Sequence, residues 1–265
     1  SSAPRVLVLC VHMLNAVMLY FLLRRYGGAL MSVVMTAALF LAGSHMNFMY
    51  EVYTECFVVS CLLAGLAVIQ YADIRAVREN NLLCLKITFV CGLFGASAAA
   101  VKLTAFPVSA ILFFASILIF GYRRLKYIIC GTAAAYAVFA LPFYLRTWLI
   151  TGNPVWPYYG WIFSSDEAVI ETSRLFHMMG DSNSFGKGGL PETLMSPFLL
   201  CWNDVAFDGE WGLQFGTLLI LGALGTYFLV RSKAASPVKY ISIGGFVFAY
   251  IFWMCTSRQA RFLEP

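Results

Sequence analysis

Two glutamates, Glu51 and Glu55, stand four residues apart at the entry to an apolar run. That spacing is about one helical turn and sets both carboxylates on one side of a helix. A pair held this way can take a proton from a hydroxyl nucleophile or hold a cation, and a solvated or capping pair is the plain alternative. Three arginines, Arg146, Arg258 and Arg261, each lie just past the end of an apolar run. Guanidinium groups at such boundaries suit an anion such as a phosphate, because their planar fork of donors stays charged, although snorkelling to lipid headgroups asks for the same placement. Arg258 and Arg261 are three apart, so a helical continuation carries both on one face. Lys102 lies between two apolar runs, where an ionisable group is a functional candidate by default.

The elements that must position these groups are membrane helices. The 265 residues are 61% hydrophobic and 12% charged, with mean hydropathy +0.78, against roughly 45–50% and about 25% in soluble domains. Apolar runs at 6–23, 29–46, 55–71, 82–101, 104–121, 127–145, 213–230 and 239–256 are each close to the length that crosses a bilayer. The second is interrupted by Ser44-His45. The expected fold is therefore all-α and polytopic, a single transmembrane domain over 1–265 with about eight spans, seven or nine being the alternatives.

Arg24-Arg25, Arg75 with Arg78, Arg123-Arg124-Lys126 and Arg231-Lys233-Lys239 occupy every second connection, which makes those connections cytoplasmic. Eleven of the 13 acidic residues then fall on the outer side, with Asp73 and Glu79 inside. The charge of +5 is a topological signal, and a nucleic-acid partner, which requires a basic face, is not expected. The same count puts Ser1 outside. The absence of an initiator Met and a last run that ends in "SRQARFLEP" suggest a piece truncated at both ends, a cleaved signal being the competing reading. Seven of the eight cysteines lie in or beside apolar runs with no zinc-like spacing, so they read as small residues at helix contacts.

The outer loop, about 146–212, has order of its own. In "SSDEAVIETSRLFHMMG", Ser164 and Glu167 have capping-box spacing, Val169, Thr172, Phe176 and Met179 share a face, and Gly180 serves as a stop. His177 reads as a surface residue of that helix. A Gly- and Ser-rich linker, 180–189, separates it from a second short interfacial helix in "LPETLMSPFLLCWN". Before both stands "YLRTWLITGNPVWPYY", Tyr144 to Tyr159. An aromatic belt accounts for Trp148, Trp156, Tyr158 and Tyr159. It does not account for Thr151-Gly152-Asn153-Pro154, whose residues favour one tight turn that folds the chain back over the bundle.

That stretch resembles the segment Tyr/Trp-x-x-Arg-Asn-Trp-x-x-Thr-Gly-Asn-Pro-x-Tyr-Pro of bacterial GT-C glycosyltransferases, the family 39-like proteins. "YEVYTECFVVSCLLAGL", "FDGEWGLQFGTLLILGAL" and "SRQARFLEP" are similar to further segments of that family in the same order, the last to its Gln-x-Arg-Tyr/Phe-Leu-x-Pro signature. Thr147 stands where the family has Asn, and Glu264 where it has an apolar residue. The family's general-base carboxylate lies in a first outer loop that would precede Arg5. The resemblance implies transfer of a sugar from a polyprenyl-phosphate donor to a glycan, lipid or protein acceptor on the non-cytoplasmic face of the bacterial plasma membrane. It implies Glu55 and Glu51 as the remaining catalytic carboxylates. Lys102, Arg146, Asn153, Trp156, Arg258, Gln259 and Arg261 become substrate-binding residues, and a divalent metal is left open. A lipid-linked oligosaccharide flippase, ligase or polymerase, or a non-catalytic assembly subunit, is the alternative function.

Overall fold

A computed structural model describes residues 3–25, 28–40, 55–102 and 105–182, together with the isolated helical positions 191, 195 and 199. The described residues are mostly helical, with no strand among them. The helices are α1 (Ala3–Arg24), α2 (Ala29–Phe40), α3 (Glu55–Tyr71), α4 (Ile74–Glu79), α5 (Asn81–Val101), α6 (Phe106–Phe120), α7 (Leu125–Phe139), α8 (Leu141–Thr151), α9 (Gly160–Phe163) and α10 (Glu167–Ser182), with a 3-10 turn at Tyr122–Arg124. Among the described residues two helices, Arg5–Arg24 and Asn81–Val101, are long and apolar enough to cross a membrane. A third span exists if Phe106–Phe120 and Tyr122–Phe139, bent by 112°, count as one. The runs expected at 213–230 and 239–256, and the rest of the second run after Phe40, lie outside the described residues.

The bundle is organised around α5, whose buried residues are Cys84, Thr88, Cys91, Gly92, Gly95, Ala96, Ala98 and Ala99. Every one is small, and small side chains let neighbouring backbones approach closely where no hydrophobic effect drives them together. Helices α3, α6 and α7 all pack on α5, while α6 and α7 meet each other only slightly. A Cβ added at Gly131 of α7 would sit 2.3 Å from the Thr88 hydroxyl oxygen and 2.9 Å from Leu85 O, and one at Gly92 would sit 3.0 Å from the Thr132 Cα. On the other side the Ser109 hydroxyl of α6 donates to Gly95 O at 2.8 Å.

Contacts give the helix directions. Thr88 with Tyr127, then Ala99 with Tyr144, rise together in number, so α5 runs parallel to α7 and its continuation. Gly95 with Ser109, and Arg78 with Ile119, run in opposite senses, so α6 is antiparallel to α5. Asn15 donates to Cys56 O at 2.9 Å and Gln70 donates to Leu22 O at 3.2 Å, which makes α1 parallel to α3.

These directions gather arginines at one end. Arg25 donates to Gln70 O at the end of α3. Arg78 grips Ile119 O with Nε and Nη2 at 3.1 and 2.6 Å, and Arg124 donates to Arg78 O and Asn81 Oδ1. Cations placed on the last carbonyls of helices satisfy orphan acceptors and complement the helix dipole. Replacing Arg78 by Ala is expected to cost about 1–2 kcal/mol, the range for a charge-assisted bond at a partly wet site. It would appear as a lower unfolding temperature in detergent, and an unchanged temperature would show that the grip adds nothing.

Three expectations are corrected. The run 127–145 is two helices rather than one, broken at Ala140, because Pro142 has no N–H to continue the ladder of α7. Helix α10 is capped by Asp166, whose carboxylate accepts from Ala168 N at 2.9 Å; Ser164 instead accepts from Asp166 N at 3.1 Å, so no Ser164–Glu167 capping box forms. The helix also runs through Gly180 to Ser182. A glycine costs a helix only about 1 kcal/mol unless a C-cap motif forms around it.

Candidate functional site

The end of the bundle opposite the arginines carries the described part of the expected site. Helix α5 closes at Lys102, whose N–H donates to Ala98 O at 3.1 Å while its own carbonyl accepts from Ala105 N at 2.9 Å. One turn earlier, Ala99 O accepts the Tyr144 hydroxyl at 3.0 Å. This bond ties the start of α8 to the end of α5. It was not foreseen from the sequence, although a phenol inside an apolar run always requires a partner.

Beyond that tie, α8 has no buried residue. Tyr144, Thr147 and Thr151 fall along one stripe at three- and four-residue intervals, with Thr147 bonded to Phe143 O and Thr151 to Thr147 O. Arg146 falls on the other side, among Phe143, Leu149 and Ile150, all exposed, Leu149 to 86%. Lys102 and Arg146 therefore share one end of the bundle, but Arg146 looks away from the face that carries Tyr144. An arginine set in an exposed apolar face is the arrangement that an anionic headgroup with an apolar tail would meet.

The turn after α8 is built as the residue types require. Gly152 takes the left-handed conformation (φ 69°) and its N–H returns to Trp148 O at 2.7 Å, closing the helix. Asn153 is fully buried. Its amide nitrogen donates to Tyr158 O at 2.6 Å, its amide oxygen accepts from Val155 N at 3.0 Å, and its backbone N–H reaches the Thr151 hydroxyl at 3.2 Å. Both ends of the side chain are engaged inside the turn, so Asn153 shapes the turn. Trp156, the next expected binding residue, is half-buried in the turn, and its peptide bond to Pro157 is cis.

The chain then reverses at Tyr159, itself left-handed (φ 54°), and enters α9. Gly160 N donates to the Ser173 hydroxyl of α10 at 3.0 Å. A Cβ at Gly160 would lie 2.8 Å from Val169 O, so only glycine admits α10 this closely. Val169 and Ser173, one turn apart, are where α10 meets Gly160.

Of the remaining expected residues, Glu55 opens α3, with nothing of its side chain described, and Glu51, Arg258, Gln259 and Arg261 lie outside the described residues, as does the His177 side chain. No group of three or more His, Cys, Asp or Glu side chains that could hold a metal ion occurs among the described residues. Comparison with protein-family models, with curated proteins and with solved structures finds no match.

Proposed function

We propose that the protein is a membrane glycosyltransferase that moves a sugar from a polyprenyl-phosphate donor to an acceptor hydroxyl at the non-cytoplasmic face of the bacterial plasma membrane. The reading includes about eight spans, with the Arg25, Arg78 and Arg124 end towards the cytoplasm, as the preference of cytoplasmic connections for Lys and Arg suggests. The observation that carries it is Arg146, exposed among Phe143, Leu149 and Ile150 on a helix that leads into the rigid Gly152–Asn153 turn. An isoprenoid tail suits the apolar face and its phosphate suits the guanidinium.

The chemistry assigns each group a task. The acceptor oxygen forms a bond to the anomeric carbon as that carbon's bond to the phosphate oxygen breaks. The acceptor's proton passes to a carboxylate, for which Glu55 and Glu51 are the candidates within this chain, and the polyprenyl phosphate leaves with the bond's electron pair. Arg146, with Arg258 and Arg261, stabilises the charge that develops on that phosphate. Lys102 at the same end of the bundle adds positive potential near the donor.

With the full-length protein in vesicles and a polyprenyl-phosphate sugar as donor, Arg146→Lys is expected to weaken donor binding about tenfold, the equivalent of one charge-assisted hydrogen bond. A snorkelling arginine tolerates the swap, whereas a two-toothed phosphate contact does not. Unchanged donor affinity would remove Arg146 from the site, and absence of any sugar transfer by the wild-type protein would overturn the glycosyltransferase reading itself.

A further inference from the structure

From Thr147 to Ser165 the chain carries no charged residue. Within that stretch Tyr158, Tyr159, Trp161, Ile162 and Phe163 are all exposed, Ile162 to 65%, and Tyr159 and Trp161 meet edge to face with centroids 5.7 Å apart. A soluble loop with this much bare aromatic and aliphatic surface is unusual. The acids resume immediately afterwards with Asp166, Glu167 and Glu171 in the exposed first turns of α10.

The polar groups of the turn itself find partners within the chain. Asn153 holds Tyr158 O and Val155 N, the Thr151 hydroxyl reaches Thr147 O and Asn153 O, Gly152 N closes on Trp148 O, and Gly160 N is held by Ser173. A loop with its backbone partners supplied internally can leave water at little cost, whereas an ordinary loop cannot. Exposed apolar residues stand on both sides of the Gly152–Asn153 turn, with Trp148, Leu149 and Ile150 at the end of α8 before it.

We propose that Tyr158–Phe163 is a wedge seated in the membrane's own interface, with Trp161, Ile162 and Phe163 at the boundary between headgroups and acyl chains. Its partner is the lipid surface. The tyrosine and tryptophan rings suit that depth because each has an apolar body and a polar edge. The acids of α10 mark where the chain returns to water. The Ser173–Gly160 bond couples the wedge to α10, so the wedge fixes the height at which the Gly152–Asn153 turn sits above the bilayer. This inference concerns lipid contact alone and stands whether or not the protein transfers sugars.

The test compares tryptophan emission of the full-length wild type and Trp161→Phe in phosphatidylcholine nanodiscs, whose lipids are unlabelled, brominated near the top of the acyl chain, or brominated near its end. The difference between the two proteins reports Trp161. The expected result is a loss of that difference signal with the upper bromine, a smaller loss with the lower one, and little response to aqueous iodide. Quenching by iodide and by neither lipid would place the wedge in water and overturn the proposal. Protection from all three quenchers would show the face covered by protein and would overturn it equally. Ile162→Trp in the Trp161→Phe background supplies a second reporter at a more exposed position, so that a local disturbance at 161 cannot decide the outcome.

Discussion

Replacing Gly131 by alanine is expected to separate α7 from α5, at a cost of about 3 kcal/mol, the upper end of ordinary overpacking. The reason is what the new methyl group would meet. Its neighbours are Leu85 O and Phe89 N, both at 2.9 Å, and the Thr88 hydroxyl oxygen at 2.3 Å. Two of these are backbone of the central helix, and Thr88 is itself pinned by its bond to Cys84 O at 2.8 Å. None can rotate away, so the helices must part. Gly65→Ala is the internal comparison: there the Cβ would meet only the end of the Leu112 side chain, which can change rotamer, and the cost should be smaller. Gly28→Ala meets nothing within 4 Å and should cost nothing by crowding. The three variants, ranked by unfolding temperature and by monodisperse yield in detergent, test whether close approach at α5 holds the bundle together. Equal effects of Gly131→Ala and Gly28→Ala would refute it.

Asn153→Ala should release the turn between α8 and α9. The substitution removes both bonds of the side-chain amide and leaves Tyr158 O and Val155 N without the partner they have inside the loop. Each such loss costs about 1–3 kcal/mol at a buried site, so the turn should open locally while the bundle stays folded. Hydrogen exchange is the direct readout. Amides of Gly152, Val155 and Tyr158 should exchange much faster in the variant, and those of α5 should not change. Asn153→Asp separates the two halves of the effect, because a carboxylate keeps the acceptor for Val155 N but cannot donate to Tyr158 O. If exchange around Val155 is as slow in Asn153→Ala as in the wild type, the side chain does not hold the turn. Under the glycosyltransferase reading the same variant should lose turnover through disorder of the platform, with Arg146 still present.

Much of the secondary structure is a direct consequence of composition. The runs 55–71, 82–101 and 104–121 return as Glu55–Tyr71, Asn81–Val101 and Phe106–Phe120, because helix satisfies every backbone group of a long apolar segment internally; Gly65, Gly92 and Gly95 are carried within helices, and Pro107 falls in a first turn, where its missing N–H costs nothing. The tight turn after Thr151 follows as directly from Gly152 and Asn153, whose backbone and amide suit nothing else so well. The break at Ala140 was present in the sequence as Pro142, but a hydropathy reading passes over a proline flanked by apolar residues.

Other features belong to the tertiary structure alone. Hydropathy weighs every residue of a run equally and does not say which face meets which helix. That α5 lies between α6 and α7, and that these two sequence neighbours scarcely touch, is decided by where Gly92, Gly95 and Gly131 let backbones approach. The same limit applies to the site. Residue type does not say that Asn153 is buried with both ends of its amide engaged in the turn; the fold decides that. Helical phase, which no composition reveals until the start of α8 is tied down by Tyr144, turns Arg146 to the side away from α5, among exposed apolar neighbours. Sequence determined which segments are apolar enough to be helices capable of crossing a membrane, because hydropathy is summed residue by residue; only the packed structure decided which side of each segment is covered, because steric fit depends on pairs of residues far apart in the chain.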